Sequence, residues 1–167
     1  YSKLIKDTCG TDFDAMFGPA YKGIPLVAAT AANLCTEYGI DKPYFFNRKE
    51  KKDHGEGGNL VGYAPKDGDK IVIVEDVITA GTAIRETMPV LKSAANVNVT
   101  DMFISVNRCE VGANSEKTAV MEVKEEFGLN VHSIISVADI YEYLKAKGTY
   151  GDVLGAMEDY MNKYCIL

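Results

Sequence analysis

Two adjacent acids, Glu75 and Asp76, stand between a run of apolar residues and a short turn of small, mostly polar residues. The run at 71–74 is typical of a strand buried on both faces, and the turn at 79–82 leads into a helical pattern. In open α/β sheets, ligands bind just past the carboxyl ends of the strands, where backbone N–H groups and a helix N-terminus hold phosphates. Because like charges repel, we expect the acids to bind sugar hydroxyls or a developing positive charge on a sugar, and the turn to bind a phosphate.

The standard nucleotide-binding motifs fit this sequence less well. No Gly-x-Gly-x-x-Gly follows a strand, and the segment from Gly18 to Gly23 is followed by Ile24 where a P-loop has lysine. Lys22 lies beside this glycine-framed turn. It is either a group that grips a pyrophosphate or an ordinary exposed lysine.

A cluster of basic residues interrupts an acidic chain. The formal net charge is −6, which disfavours a general nucleic-acid-binding protein. The residues at 47–54 nevertheless include four lysines and arginines against two acids, and glycines follow at positions 55, 57 and 58. This segment is either a solvated loop or a flexible cationic loop that closes over a polyanion.

The cysteines and the apolar runs exclude several classes of protein. The four cysteines include no Cys-x-x-Cys pair and there are only two histidines, so we expect free thiols and no zinc site. No apolar run approaches the roughly 20 residues of a membrane span, and there is no signal-peptide pattern. These features predict a cytoplasmic protein, and 167 residues are typical of one domain.

Strands and helices alternate along the chain, which predicts a doubly wound α/β fold with a mostly parallel sheet. Strands are expected at 44–46, 59–63, 71–74, 102–106 and 131–135, the last three fully buried, and helices at 26–38, 82–91, 120–127, 136–144 and 153–164. Pro89 predicts a kink or an early end of its helix. Ser136 and Asp139 resemble a capping pair.

Three motifs, in order along the chain, carry a family resemblance. Segment 71–83, Ile-Val-Ile-Val-Glu-Asp-Val-Ile-Thr-Ala-Gly-Thr-Ala, resembles the phosphoribosyl pyrophosphate (PRPP) signature of type I phosphoribosyltransferases. Segments 18–25 and 46–59 resemble those of the orotate phosphoribosyltransferases, and Asn107-Arg108 fits that family's orotate-contacting arginine. The resemblance covers nearly the whole chain.

The resemblance implies a type I phosphoribosyltransferase fold, with one domain over 1–167 and a flexible catalytic loop. The implied reaction transfers ribose 5-phosphate from PRPP to orotate, giving orotidine 5′-monophosphate and pyrophosphate in UMP biosynthesis. Mg²⁺ would be the cofactor, held mainly by PRPP and water. A homodimer is implied, in which one subunit's loop completes the partner's site, with no nucleic-acid or membrane partner. Family members also carry an N-terminal segment before the position of Tyr1, with a lysine and an aromatic pair, so part of the hood region is expected to be missing here.

The resemblance also assigns roles to individual residues. The catalytic group comprises Lys49, Lys52, His54, Glu75 and Asp76. The PRPP-binding group comprises Tyr21, Lys22, Arg48, Lys49, Lys52, His54, Glu75, Asp76, Val77, Ile78, Thr79, Ala80, Gly81, Thr82 and Ala83. Orotate would contact Thr79 and Arg108, and no residue is assigned as a metal ligand.

Three alternatives stay open from the residues alone. Arg108 offers a planar fork to a carboxylate, and the alternative is a salt bridge at the end of a strand. The enzyme could act on another base, such as a purine or uracil. A PRPP-sensing regulator could use the same fold, although such a protein needs a nucleic-acid surface and this chain has no second basic patch.

Overall fold

The residues that the structure describes form six helices and six strands. The structure is a computed structural model and describes residues 1–49, 59–79, 81–113, 116–148 and 150–167. The elements are α1 (Ser2–Cys9), β1 (Ala15–Gly18), α2 (Gly23–Tyr38), β2 (Tyr44–Asn47), β3 (Leu60–Gly62), β4 (Lys70–Val77), α3 (Thr82–Ala94), β5 (Asn98–Asn107), α4 (Ala119–Phe127), β6 (Asn130–Ser136), α5 (Val137–Lys147) and α6 (Gly151–Tyr164).

The strands form one sheet in the order β3-β2-β1-β4-β5-β6. Every neighbouring pair is parallel except β2 with β3, which confirms the prediction of a mostly parallel α/β sheet. The chain first moves outward from β1 to β2 and β3, and then returns to place β4 on the other side of β1. Ligands of such sheets bind at this reversal, beyond the carboxyl ends of the two central strands.

Two apolar cores, one on each face, bury the central strands. In β4, Ile71 and Ile73 pack with α3 and α4 in one core, whereas Val72 and Val74 pack with α1 and α2 in the other. The alternation follows from the two-residue period of a strand. Each of these four side chains is at most 2% exposed, so the carboxyl end of β4 directly follows a stretch that is packed on both faces.

The burial of one strand and the end of one helix differ from the sequence-based expectation. Strand β6 was expected to be buried, but it lies at the edge of the sheet, where Ile134 and Ile135 are 47% and 41% exposed. An apolar run cannot distinguish an edge strand from a central one. Helix α3 continues past Pro89 to Ala94, so the expected early end is wrong. Pro89 is exposed, where solvent can satisfy the carbonyl that loses its N–H partner.

Two helix predictions are confirmed at their ends. Helix α2 ends at Gly39 in the left-handed conformation, and Ser136 with Asp139 forms a capping box at the start of α5. The spacing of Val153, Met157, Tyr160 and Tyr164 predicts one apolar face of α6. That face is only partly buried, since Val153 and Tyr164 are exposed. Among the described residues, no helix has the length and apolar character needed to cross a membrane.

Candidate active site

Three chain segments, together with Met102 of β5, line a cleft of about 270 Å³ beyond the carboxyl ends of β1 and β4. The first is the turn after β1, the second is the end of β4 with the start of α3, and the third is Lys49 just after β2. The lining residues are Ala20, Tyr21, Lys22, Lys49, Glu75, Asp76, Val77, Ile78, Thr79, Gly81, Ala83, Ile84 and Met102. Most of the residues that the sequence analysis assigned to PRPP therefore lie together.

The turn after β1 depends on two closely packed glycines. A Cβ atom on Gly18 would lie 2.3 Å from the carbonyl oxygen of Gly23, and one on Gly23 would lie 2.8 Å from the carbonyl carbon of Gly18. The peptide bond between Ala20 and Tyr21 is cis. The Ala20 N–H donates to the Asn47 side-chain oxygen at 2.8 Å, which ties the turn to the end of β2.

The two acids sit in the last residues of β4 rather than after it. Strand pairing with β5 continues through Glu75 and Val77, three residues beyond the expected end at Val74. The backbone of this segment is held from two sides. The Ser105 hydroxyl donates to the Asp76 carbonyl at 2.5 Å, and the Tyr1 hydroxyl donates to the Glu75 carbonyl at 2.8 Å.

The two carboxylates differ in environment although they are neighbours. Glu75 is 8% exposed, and burial raises its pKa to about 7. Partial burial of Asp76 acts to raise its pKa as well, but the hydrogen bonds from Lys22 and the Val77 N–H, the contact with Glu75 and the charge of Lys22 together outweigh it and leave the pKa below its usual range. The Lys22 Nζ lies 2.7 Å from Asp76 Oδ2. Asp76 is therefore ionised at neutral pH, whereas Glu75 is partly protonated.

The turn from β4 into α3 leaves an anion-binding helix end. Gly81 adopts φ +75° at the N-cap, and its N–H donates to the Thr79 carbonyl at 2.6 Å. No side chain among the described residues caps the N-terminal N–H groups of α3. Thr79, Thr82 and Ala83 are exposed beside them. Uncapped N–H groups and the helix dipole together favour a phosphate here.

The basic segment enters the cleft at its first residues. The Lys49 Nζ lies 5.4 Å from the centre of the Tyr21 ring. The Arg48 N–H donates to the Asn59 carbonyl at 2.7 Å, so the two ends of the segment pair as β2 and β3 do. Lys52, His54 and the glycines at 55, 57 and 58 lie outside the described residues, as does Ala80.

Arg108 follows β5 and belongs to a separate cluster. Its Nη2 lies 2.6 Å from Glu110 Oε1 and donates to the Tyr160 hydroxyl oxygen at 3.1 Å. Arg108 is not part of the described lining of the cleft, whereas Thr79 is. The salt bridge left open by the sequence analysis is thus present, and the orotate contact of Arg108 stays a prediction.

Comparison with known proteins gives a consistent result. Residues 1–139 match the phosphoribosyl transferase domain. The orotate phosphoribosyltransferase of Clostridium acetobutylicum is 49% identical over 98% of this chain, which corresponds to 74% of the relative's length. The chain belongs to the orotate phosphoribosyltransferase family. The Vibrio parahaemolyticus member of this family is 46% identical, with 99% of the chain and 76% of the relative covered.

Solved structures agree with this membership. A Francisella tularensis orotate phosphoribosyltransferase has a TM-score of 0.82 at 34% identity, over 99% of this chain and 77% of its own. An adenine phosphoribosyltransferase from Rhodothermus marinus matches with a TM-score of 0.51 at 16% identity, over 80% of this chain and 74% of its own. The latter likeness shows the fold alone, so membership in the orotate family rests on the sequence relatives.

Several residues of this orotate phosphoribosyltransferase family member were not singled out by the sequence analysis. Tyr1 and Ser105 hold the backbone of the acid pair, while Glu110 and Tyr160 contact Arg108. Tyr160 was assigned only to an apolar helix face. Its partner is 52 residues away in the sequence, and no local pattern marks such a pairing.

Proposed function

We propose that this chain transfers the ribose 5-phosphate group of PRPP to orotate, giving orotidine 5′-monophosphate and pyrophosphate in UMP biosynthesis. The bond from the anomeric carbon to the pyrophosphate oxygen breaks, and a bond from that carbon to a ring nitrogen of orotate forms. The observation that supports this most is the cleft itself. It combines an ionised acid, a glycine-framed turn bearing Lys22 and an uncapped helix end at the switch point of the sheet.

The 5′-phosphate would bind at the N-terminus of α3. The segment 78–83 would supply backbone N–H groups, and the hydroxyls of Thr79 and Thr82 would add further donors. Gly81 lets the backbone approach the phosphate closely, because it occupies a positive φ that side chains disfavour. This end of the site fixes the sugar and leaves its anomeric carbon free to react.

The acid pair would bind the ribose hydroxyls and stabilise the positive charge that grows on the sugar. Substitution at an anomeric carbon passes through an oxocarbenium-like state, which a nearby carboxylate stabilises. Asp76 is the carboxylate kept ionised by Lys22. Glu75 is the more buried of the two. Because its pKa is raised to about 7, only a fraction of this carboxyl is ionised near neutral pH.

The leaving pyrophosphate would be held by the turn at 18–23 together with the basic segment. Lys22 and Lys49 already line the cleft. Arg48, Lys52 and His54 belong to the same basic segment and would add to the neutralisation as negative charge grows on the leaving group. Tyr21 would shape this end of the site, since its ring lies beside Lys49.

Mg²⁺ fits this site as a substrate-bound ion. Among the described residues, no group of three or more His, Cys, Asp and Glu side chains could hold a metal. Mg²⁺ would be held mainly by the phosphates of PRPP and by water, which are ligands that this ion commonly keeps in phosphate-transfer sites. When bound, it would supply positive charge to the departing pyrophosphate.

Arg108 would receive the carboxylate of orotate, and Thr79 would contact the same base. A guanidinium matches a carboxylate in shape and charge, and neither uracil nor a purine base carries such a group. We further propose a homodimer in which the part of the basic segment that follows Lys49 in one subunit reaches the partner's site. A cytoplasmic location is proposed as well, which the four free cysteines favour.

A panel of acceptor bases tests the activity. The full-length protein is incubated with PRPP and Mg²⁺ and either orotate, uracil, hypoxanthine or adenine, and the loss of each base is followed by absorbance. We expect turnover of orotate alone, and none when PRPP or Mg²⁺ is omitted. Equal turnover of another base would contradict the assignment to orotate. Binding of PRPP with no turnover of any base would favour the PRPP-sensing regulator.

A further inference from the structure

A cluster of three side chains connects the C-terminal helix to Arg108. The Tyr160 hydroxyl oxygen accepts hydrogen bonds from Arg108 Nε at 3.3 Å and from Nη2 at 3.1 Å. The same hydroxyl donates to the Glu110 carboxylate, and Glu110 Oε1 lies 2.6 Å from Arg108 Nη2. The three side chains form a closed ring of contacts, and the Arg108 side chain as a whole remains 39% exposed.

The backbone around this cluster is fixed from both directions. The Ile166 N–H donates to the Cys109 carbonyl at 2.9 Å, and the Val111 N–H donates to the Tyr164 carbonyl at 2.9 Å. The Cys165 thiol also contacts the Arg108 carbonyl at 3.2 Å. The end of α6 is thereby joined to the segment 108–111, and the Tyr160 hydroxyl reaches Arg108 from one turn earlier in the helix.

The contacts leave part of the guanidinium available. Nε and Nη2 make the contacts with Tyr160 and Glu110, whereas Nη1 takes part in none of these three contacts. An arginine side chain has several rotatable bonds, and fixing them on binding costs free energy. Holding one edge of the guanidinium before the ligand arrives reduces that cost for any carboxylate that binds the remaining donors.

We propose that Tyr160 is a positioning residue, which holds Arg108 in the orientation that receives the carboxylate of the acceptor base. The inference rests on the proposed orotate contact of Arg108. It makes α6 part of the base-binding site, although Tyr160 is far from the cleft's signature segment in the sequence. Tyr160 would affect the base only through its hydrogen bonds with Arg108, so it has no catalytic role of its own.

The test compares Tyr160→Phe with the matched control Tyr164→Phe in the full-length protein. The two tyrosines lie on the same helix with their ring centres 5.4 Å apart, and both substitutions keep the ring. Loss of a hydrogen bond to a charged group should raise the KM for orotate about tenfold in Tyr160→Phe. The KM for PRPP and the melting temperature should change little. Tyr164→Phe should match the wild type in all three.

The arginine variants separate the two proposals. Arg108→Ala should raise the KM for orotate, and adding Tyr160→Phe to it should cause no further rise, because the group that Tyr160 holds is gone. If Arg108→Ala leaves this KM unchanged, the proposed orotate contact is wrong and the positioning role falls with it. If Arg108→Ala raises the KM but Tyr160→Phe does not, only the positioning role is wrong.

Two further outcomes would overturn the positioning role. One is an equal rise of the KM for PRPP in Tyr160→Phe, which would show a general disturbance of the site. The other is a full additional rise in the double variant, which would show that Tyr160 acts independently of Arg108. Because KM does not depend on the concentration of folded enzyme, a partial loss of folded protein would leave these comparisons intact.

Discussion

At the scale of single residues, the site separates two chemically equivalent groups by their surroundings. Glu75 and Asp76 are adjacent carboxylates, yet burial raises the pKa of the first and the hydrogen bond from Lys22 lowers the pKa of the second. Such separation of neighbouring titratable groups is typical of sites that handle charge or protons. Here it gives one carboxylate that is charged at neutral pH and one whose charge depends on pH near neutrality.

The raised pKa of Glu75 predicts a pH-dependent stability. A carboxyl whose pKa is higher in the folded than in the unfolded protein binds its proton more tightly when folded, so its ionisation weakens folding as pH rises from 4.5 to about 7. Glu75→Gln cannot ionise. Its free energy of unfolding minus that of the wild type should therefore increase from about pH 5 to about pH 8, on the order of 1 kcal/mol after solvent screening.

Denaturant unfolding at each pH, without substrates, measures this difference. Glu86→Gln, which changes an exposed carboxylate on α3, is the control and should show no comparable trend. If the difference in unfolding free energy between Glu75→Gln and the wild type stays constant or decreases with pH, burial does not disfavour the ionised form of Glu75.

The pair as a whole should matter more for turnover than for folding. Glu75→Gln combined with Asp76→Asn removes the negative charge that faces the sugar, and loss of such electrostatic stabilisation lowers kcat about 100-fold or more. Asp12→Asn is the control, since that exposed carboxylate pairs with Lys70 at the opposite end of β4. Steady-state assays and thermal melting of both variants check this. Near-normal turnover in the double variant would mean that the two acids have only a structural role.

The residues that could be predicted from sequence are those that lie next to one another in it. The acids and the turn at 79–82 belong to one short segment and Lys22 belongs to another, and the two segments meet in the cleft. The ring around Arg108 could not be predicted in the same way. It depends on how α6 packs, and the spacing of Tyr160 along its helix indicates only an apolar face.

At the scale of elements, the site depends on where strands end and how tightly the following turns pack. The apolar run predicted β4 only as far as Val74, because Glu75 and Asp76 break the hydrophobic pattern. Their backbones nevertheless continue to pair with β5. Likewise, the glycines at 18 and 23 predicted a turn, but the sequence could not show that their backbones are in contact.

Replacing Gly18 should disturb the pyrophosphate end of the site. A methyl group there would lie 2.3 Å from the Gly23 carbonyl oxygen and 2.5 Å from a Val27 methyl, so the turn must shift. Such overpacking costs about 1–3 kcal/mol of stability. We expect Gly18→Ala to lower the melting temperature and to raise the KM for PRPP more than the KM for orotate.

Gly155→Ala provides the matched control for that change. Gly155 lies in α6, where an added Cβ meets nothing within 4 Å among the described residues, and alanine favours a helix over glycine. This variant should be at least as stable as the wild type, with normal kinetics. An unchanged KM for PRPP in Gly18→Ala would contradict the proposal that this turn binds the pyrophosphate.

At the scale of the whole molecule, the order of the strands brings distant segments to one edge of the sheet. Strand β2 runs parallel to β1, so the basic segment begins at the same edge as the cleft, next to the turn after β1. Its first lysine, Lys49, lines the cleft of its own subunit beside Tyr21. The sequence predicted this basic segment but could not show which lysines face their own site and which could reach a second subunit.

Mixed dimers distinguish a lysine that acts in its own subunit from a lysine that acts on the partner's site. One parent carries Lys52→Ala, and the other carries the acid-pair change Glu75→Gln with Asp76→Asn. If Lys52 acts on the partner's site, each hybrid has one site with intact acids and an intact lysine. About half of the dimers in an equal mixture are hybrids, so roughly a quarter of the wild-type activity should return.

Lys49→Ala mixed with the same acid-pair parent is the matched control, because Lys49 lies in the cleft of its own chain. A lysine that acts within its own subunit leaves both sites of every hybrid defective, so this mixture should regain no activity. Mass spectrometry of differently tagged chains must first show that subunits exchange. Confirmed hybrids with no recovered activity in the Lys52→Ala mixture would mean that the segment serves its own subunit. Recovery in the Lys49→Ala mixture would mean instead that both lysines cross between subunits.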